Sequence, residues 1–109
     1  MALIIRLLGA GSAPMDVTTT LYGVTGTGVL GAIVNNVRLV NVSTSNATFN
    51  LYYKPNGLPA IRIQTKEQAL NINKHVVIKP DLTLGPGDAL QVFPSSSNLE
   101  FVVAGVEQQ

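Results

Sequence analysis

The run of residues that matches a chemical fingerprint most literally is Gly26-Thr27-Gly28-Val29-Leu30-Gly31, which fits G-x-G-x-x-G. A dinucleotide site needs that spacing after a strand and at the start of a helix, whose N-terminus then holds the pyrophosphate. Here it leads into Ala32-Ile33-Val34, which is strand-like. No Asp or Glu occurs between Asp16 and Glu67, so the acid that would hold a ribose is missing. The run reads as a Gly/Thr loop joining two strands. His75 is the single histidine. General-base work needs a nucleophile within reach and an orienting carboxylate, and no sequence signature supplies that set. His75 therefore reads as a surface or interface residue. One histidine, no cysteine and six scattered acids also make a poor metal inventory, with no calcium-loop spacing. The chain is expected to have no catalytic residue, no metal and no cofactor, and not to be an enzyme. Asn41-Val42-Ser43 and Asn46-Ala47-Thr48 fit the glycosylation pattern, but it is short and common, and these residues are ordinary hairpin-loop chemistry.

The bulk composition points the same way. The 109 residues fit one domain. Charged residues make up 12% of the chain, against about 25% in an average soluble domain. On a small domain that leaves an unusually neutral exterior, poorly protected against association. It reads as a surface that stays covered, by copies of the chain or by a partner. Net charge is +1, and Arg6, Arg38, Lys54, Arg62, Lys66, Lys74 and Lys79 are never adjacent. That is no basic stripe for a phosphate backbone, so nucleic acid is not an expected partner. The absence of cysteine favours folding in a reducing cytoplasm.

Met1-Ala2-Leu3-Ile4-Ile5-Arg6-Leu7-Leu8 opens the chain, followed by small residues around Gly9 and Ala13. No positive charge precedes the apolar run and Arg6 interrupts it, which argues against a signal peptide. Residues 1–15 read as an N-terminal arm or strand, and residues 16–109 as the main domain. No apolar run reaches the ~20 residues of a membrane-spanning helix, so no membrane partner is expected.

The rest of the chain alternates like strands. In residues 47–53, Phe49, Leu51 and Tyr53 share one side, and Thr48, Asn50 and Tyr52 the other. Pro55-Asn56-Gly57 closes that run as a turn. Residues 60–65 put Ile61 and Ile63 inward, with Arg62 and Gln64 outward. Across residues 29–42 the apolar parity changes, which a bulge near Asn35-Asn36 reconciles. Residues 75–78 form a strand ended by Pro80. Gly85-Pro86-Gly87-Asp88 marks a tight reversal before residues 89–93. Residues 99–106 close the chain with Phe101 and Val103 on one face. Lys66-Glu67-Gln68-Ala69-Leu70 is the one place for a short helix. The expected fold is all-β: an antiparallel β-sandwich of about eight short strands, jelly-roll or Greek-key-like, with an N-terminal arm.

Five segments in order add a resemblance: Leu21-Tyr22-Gly23-Val24, Val37-Arg38-Leu39-Val40-Asn41-Val42-Ser43, residues 47–53, Leu84-Gly85-Pro86-Gly87-Asp88-Ala89-Leu90, and Phe101-Val102-Val103-Ala104-Gly105-Val106-Glu107. Together they resemble small β-sandwich structural proteins of tailed bacteriophages. The resemblance implies a virion protein made in the cytoplasm of a bacterial host. It implies a capsid decoration (cement) protein that docks on and stabilises the assembled head, or a tail, baseplate or fibre component. The implied partners are the major capsid protein or other virion proteins, and copies of the chain in a homo-oligomer. It carries over no catalytic residue. A small carbohydrate-binding module is the reading of another class, but the chain has no Trp to serve as an aromatic platform. The candidate interface residues are Ala2, Leu3, Ile4, Ile5 and Arg6 of the arm, and Tyr52, the aromatic whose parity points outward.

Overall fold

The computed structural model describes residues 3–109, and among them every regular element is a strand. The strands are β1 (Leu3–Ala13), β2 (Thr19–Gly23), β3 (Gly31–Val40), β4 (Ala47–Lys54), β5 (Ile61–Arg62), β6 (Gln68–Leu70), β7 (His75–Ile78), β8 (Leu82–Leu84), β9 (Ala89–Ser95) and β10 (Leu99–Gln108). They form two five-stranded antiparallel sheets. The first runs β1-β10-β3-β7, with β8 beside β3; the second runs β2-β9-β4-β5, with β6 beside β4. Apart from the runs β4 to β6 and β7 to β8, successive strands switch sheets, and the last strand lies beside the first. This is the strand order of an eight-stranded jelly roll with two strands each broken in two, which is why ten strands stand where the alternation suggests about eight.

The core lies between the sheets. Val34, Val37, Leu39, Leu99 and Val103 of the first sheet meet Phe49, Leu51, Leu90 and Val92 of the second, all fully buried. The parity change in β3 is a bulge. Asn36 opposes Ala104 and Val34 opposes Gly105, so Asn35 has no partner across the ladder. Ala32 and Val34 point inward before it, Val37 and Leu39 after it. A Cβ on Gly105 would overlap the Ile33 carbonyl, so only glycine lets β10 close against the bulge.

The predicted reversal at residues 85–88 is a turn in which the Asp88 N–H donates to the Gly85 carbonyl, 3.1 Å. Gly87 occupies the left-handed region (φ 85°), and a Cβ there would overlap the Asn56 side chain. The Asp88 carboxylate accepts from the Gly85 N–H (2.9 Å), the Asn56 N–H (2.8 Å) and the Tyr53 hydroxyl (2.9 Å). The two backbone N–H groups, then the Tyr53 hydroxyl, hold Asp88 below the usual carboxylate range. At the opposite end of the sandwich, the fully buried Asn41 side chain donates to the Ser45 and Leu70 carbonyls and accepts from the hydroxyls of Ser43 and Ser97. Asn41 is thus a fixed corner of the fold and not an open acceptor site. Its Ser43 partner also bonds Ser97 directly, hydroxyl to hydroxyl.

The structure corrects three local expectations. Residues 66–70 form no helix: Glu67 sits at φ 52° with its N–H bonded to Asn50 Oδ1, and Gln68–Leu70 pairs with β4 as β6. Five residues of good helix formers cannot pay the nucleation cost of a helix when a strand edge offers ladder bonds. Ile61 points outward in fact, 55% exposed, because β5 is only two residues long and lies at the sheet's rim. Asn50, placed outward by parity, is only 6% exposed, because Arg62 and the Glu67 backbone close over it.

Candidate functional site

The chain's outer surfaces hold its unusual features, and β1 is central to them. From Leu3 to Leu7 it pairs residue by residue with β10 of its own chain; Leu8 is then skipped, and the pairing resumes at Gly9. Alternation turns Ile4 and Arg6 toward the inside and Leu3, Ile5 and Leu7 toward solvent. Those three are 73%, 87% and 58% exposed. An Arg on the inner face of a strand needs a partner, and β10 supplies one. Glu107 lies inward at the end of β10, nearly buried, and accepts from Arg6 Nη1 at 2.9 Å. Its other oxygen accepts from the Tyr22 hydroxyl of β2 at 2.5 Å. Burial, then the Glu107 carboxylate, pushes the Tyr22 phenol well above its ordinary value of 10.0. The trio ties β1, β10 and β2 together and joins the two sheets at that corner. Arg6 therefore anchors the N-terminal segment to its own domain. Ala2 lies outside the described residues.

Registers across the first sheet assemble its outer face. Ile5, Val106, Ile33 and Thr83 form one row; Leu7, Ala104 and Asn36 the next; Ala10, Val102, Arg38 and Val77 a third. Leu3, Ile5, Leu7, Ile33 and Leu30 are exposed, and Val102 and Val77 each leave 40% of their surface to solvent. Among the described residues, the formal charges on this face are Arg38 and Glu100, both displaced toward the half away from Leu3. A shallow cleft of about 290 Å³ opens in the apolar half, lined by Leu3, Leu30, Ile33, Thr83 and Val106 among others. Single exposed apolar residues are ordinary; here they form a contiguous set that spans three strands.

The second sheet's outer face is different. Thr20, Gln91, Tyr52, Asn50, Thr48 and Lys54 lie across it, with Phe93 among them. The Arg62 guanidinium stacks on the Tyr52 ring, 5.5 Å from its centre, and donates to Asn50 Oδ1 at 3.3 Å. Tyr52 is thus half-covered, and it stands on the opposite side of the sandwich from Leu3, Ile4, Ile5 and Arg6. The candidate interface residues do not converge on one site. His75 is exposed on β7 opposite Val40. The Gly26–Gly31 run is a loop that enters β3, with Gly26 and Gly28 at positive φ. Among the described residues, no three His, Cys, Asp or Glu side chains come together as a metal site, and no helix is long and apolar enough to cross a membrane.

No protein-family model matches the chain, and no curated protein sequence matches it. Solved structures do. The chain is similar to a chain in the structure of infectious bursal disease virus, Gx strain, at 10% identity and a TM-score of 0.53, over 97% of its own length and 30% of the other's. A chain in the structure of the Gt strain of that virus is matched at 9% identity and a TM-score of 0.41, over 97% of this chain and 32% of that one. The chain spans about a third of the length of the solved chains it matches. At this identity the likeness to the Gx-strain chain supports the β-sandwich fold, which the strand order describes independently.

Proposed function

We propose that the chain is a structural protein of a virus particle, acting by adhesion and not by catalysis. In this reading it is a capsid decoration protein of the tailed-bacteriophage kind that its ordered segments resemble. It docks in many copies on the assembled shell through the apolar outer face of β1, β10 and β3. The contiguity of that face carries the reading: Leu3, Ile5, Leu7, Ile33 and Val106 lie side by side with no formal charge among them. Fully burying one such side chain is worth about 1.5–3 kcal/mol. The occupant that fits is an uncharged, apolar surface that exists only where shell subunits meet. The fold likeness to a chain of a virus structure supports the virion setting.

The mechanism is linkage. A molecule that binds only the assembled shell stabilises assembly, and many linked weak contacts add avidity. A carbohydrate module finds less support, since the Arg62 guanidinium already occupies the one outward tyrosine ring of the second sheet. The test is the temperature at which particles release their genome, measured with and without the chain. A lower threshold without it is expected. Identical thresholds overturn the cementing role and shift the search to tail, baseplate and fibre.

A further inference from the structure

We propose that two copies of this chain pair edge to edge through β1, antiparallel across a two-fold axis at Ile5, joining their first sheets into one. The inference stands on the sheet edge alone and does not depend on the virus-particle reading.

An open strand edge presents unpaired N–H and C=O groups, and folded proteins usually guard it with charge, proline, a bulge or brevity. Three edges of this sandwich are guarded. β7 and β8 are four and three residues long, separated by a segment containing Lys79 and Pro80. β5 and β6 are two and three residues long, with Arg62 on β5. β2 has five residues and a register break between Thr20 and Tyr22. β1 is eleven residues long and contains no proline; its break at Leu8 leaves residues 3–7 regular, and its single charge, the half-exposed Arg6, is already paired with Glu107 of its own chain.

Two features set the register. The break beside Leu8 ends the regular pairing of β1, so the axis falls before it. Charge narrows the choice. Antiparallel partners that share a face must have equal parity. A two-fold at Arg6 would set Arg6 against the partner's Arg6, a like-charge pair directly opposite. A two-fold at Ile5 sets Arg6 beside the partner's Ile4 instead. It also matches Leu3 with the partner's Leu7 and Ile5 with the partner's Ile5, all on the outer face. A second copy is thus the strand whose pattern complements this one, and pairing would double the apolar face without covering it.

The chain has no cysteine, so single cysteines read the register directly. Residues directly opposite in an antiparallel pair stand within disulfide reach. Under mild oxidation, Ile5→Cys alone is expected to form a covalent dimer. Leu3→Cys mixed with Leu7→Cys is expected to cross-link faster than Leu3→Cys alone. Sedimentation of the unmodified chain, without particles, should show a dimer at micromolar concentrations. Ile5→Lys should weaken it about fivefold, since it sets two like charges directly opposite across the two-fold, while keeping the fold because Ile5 is exposed. A chain that sediments only as a monomer overturns the proposal. So does Leu3→Cys cross-linking alone as fast as the mixture, or an Ile5→Lys dimer of unchanged affinity. Particle binding enters none of these readouts, so failure here leaves the docking reading standing, and the reverse.

Discussion

The two outer faces of the sandwich begin from the same rule and end as different surfaces. In both sheets alternate residues go inward, and the inward sets are alike: Val34, Val37, Leu39 and Val103 on one side, Phe49, Leu51, Leu90 and Val92 on the other. The outward sets differ. β1, β10 and β3 expose Leu3, Ile5, Leu7, Ile33 and Val102, whereas β2, β9 and β4 present Thr20, Gln91, Thr48, Tyr52 and Lys54. Packing dictates the inner faces and is indifferent to the outer ones. The polar coat of one face is what solubility alone asks for. The other keeps Leu and Ile in water at a cost to solubility, and that cost is what the proposed docking accounts for.

The largest expected effect strikes that difference directly. Ile33→Asp or Val106→Asp places an unpaired charge in the proposed contact and should weaken particle binding by about 3 kcal/mol, or roughly a hundredfold. Gln91→Asp, on the other face, should leave binding within about twofold. Co-sedimentation with particles measures both, and equal losses would erase the distinction between the faces.

Next comes the clamp that fastens β1 to the sandwich. Glu107→Ala strands the Tyr22 hydroxyl and frees Arg6, and should cost about 2 kcal/mol of stability, a fall of roughly 10 °C in Tm. Hydrogen exchange should quicken in β1 and hold steady in β9 and β4. Tyr22 adds an alkaline signature. Its folded-state phenol titrates above the ordinary 10.0, so its contribution is whole below that pH and is lost as pH rises past it. Stability should fall more steeply above pH ~10 in the unmodified chain than in Tyr22→Phe.

Asp88→Ala acts at the turn leading into β9 and should cost about 1 kcal/mol, since it removes three hydrogen bonds from a part-buried carboxylate. Because Asp88 is held below the carboxylate value of 3.8, its contribution is present above that pH and fades as pH falls through the folded value. Thermal melts between pH ~5 and ~2 should therefore be flatter in the variant. The smallest effect is expected for Tyr52→Ala. It removes a ring that touches Arg62 at the surface, and should change stability by less than ~1 kcal/mol and particle binding not at all.

Much of this architecture was legible in local pattern. The parity change between Val34 and Val37 announced the bulge at Asn35, and the glycines at 57 and 87 announced turns that need positive φ. What was not legible depends on distant contacts. Gln68 joins a strand because β4 offers an edge there, which outweighs the helical preference of its neighbours. Glu107 reads as a strand-end acid in sequence; that it faces inward to meet Tyr22 and Arg6 follows from three strands far apart in the chain. The apolar face was hidden for the same reason. Ile5, Val106 and Ile33 form a row only once β10 lies between β1 and β3.

A reconstruction of a virus particle carrying this chain separates the two faces at a glance. Many copies of the jelly roll are expected on the assembled shell, with Ile33 and Val106 covered by shell subunits and Tyr52 and Gln91 facing solvent. Copies seated with Tyr52 and Gln91 against the shell, and Ile33 and Val106 in water, would contradict the proposed docking.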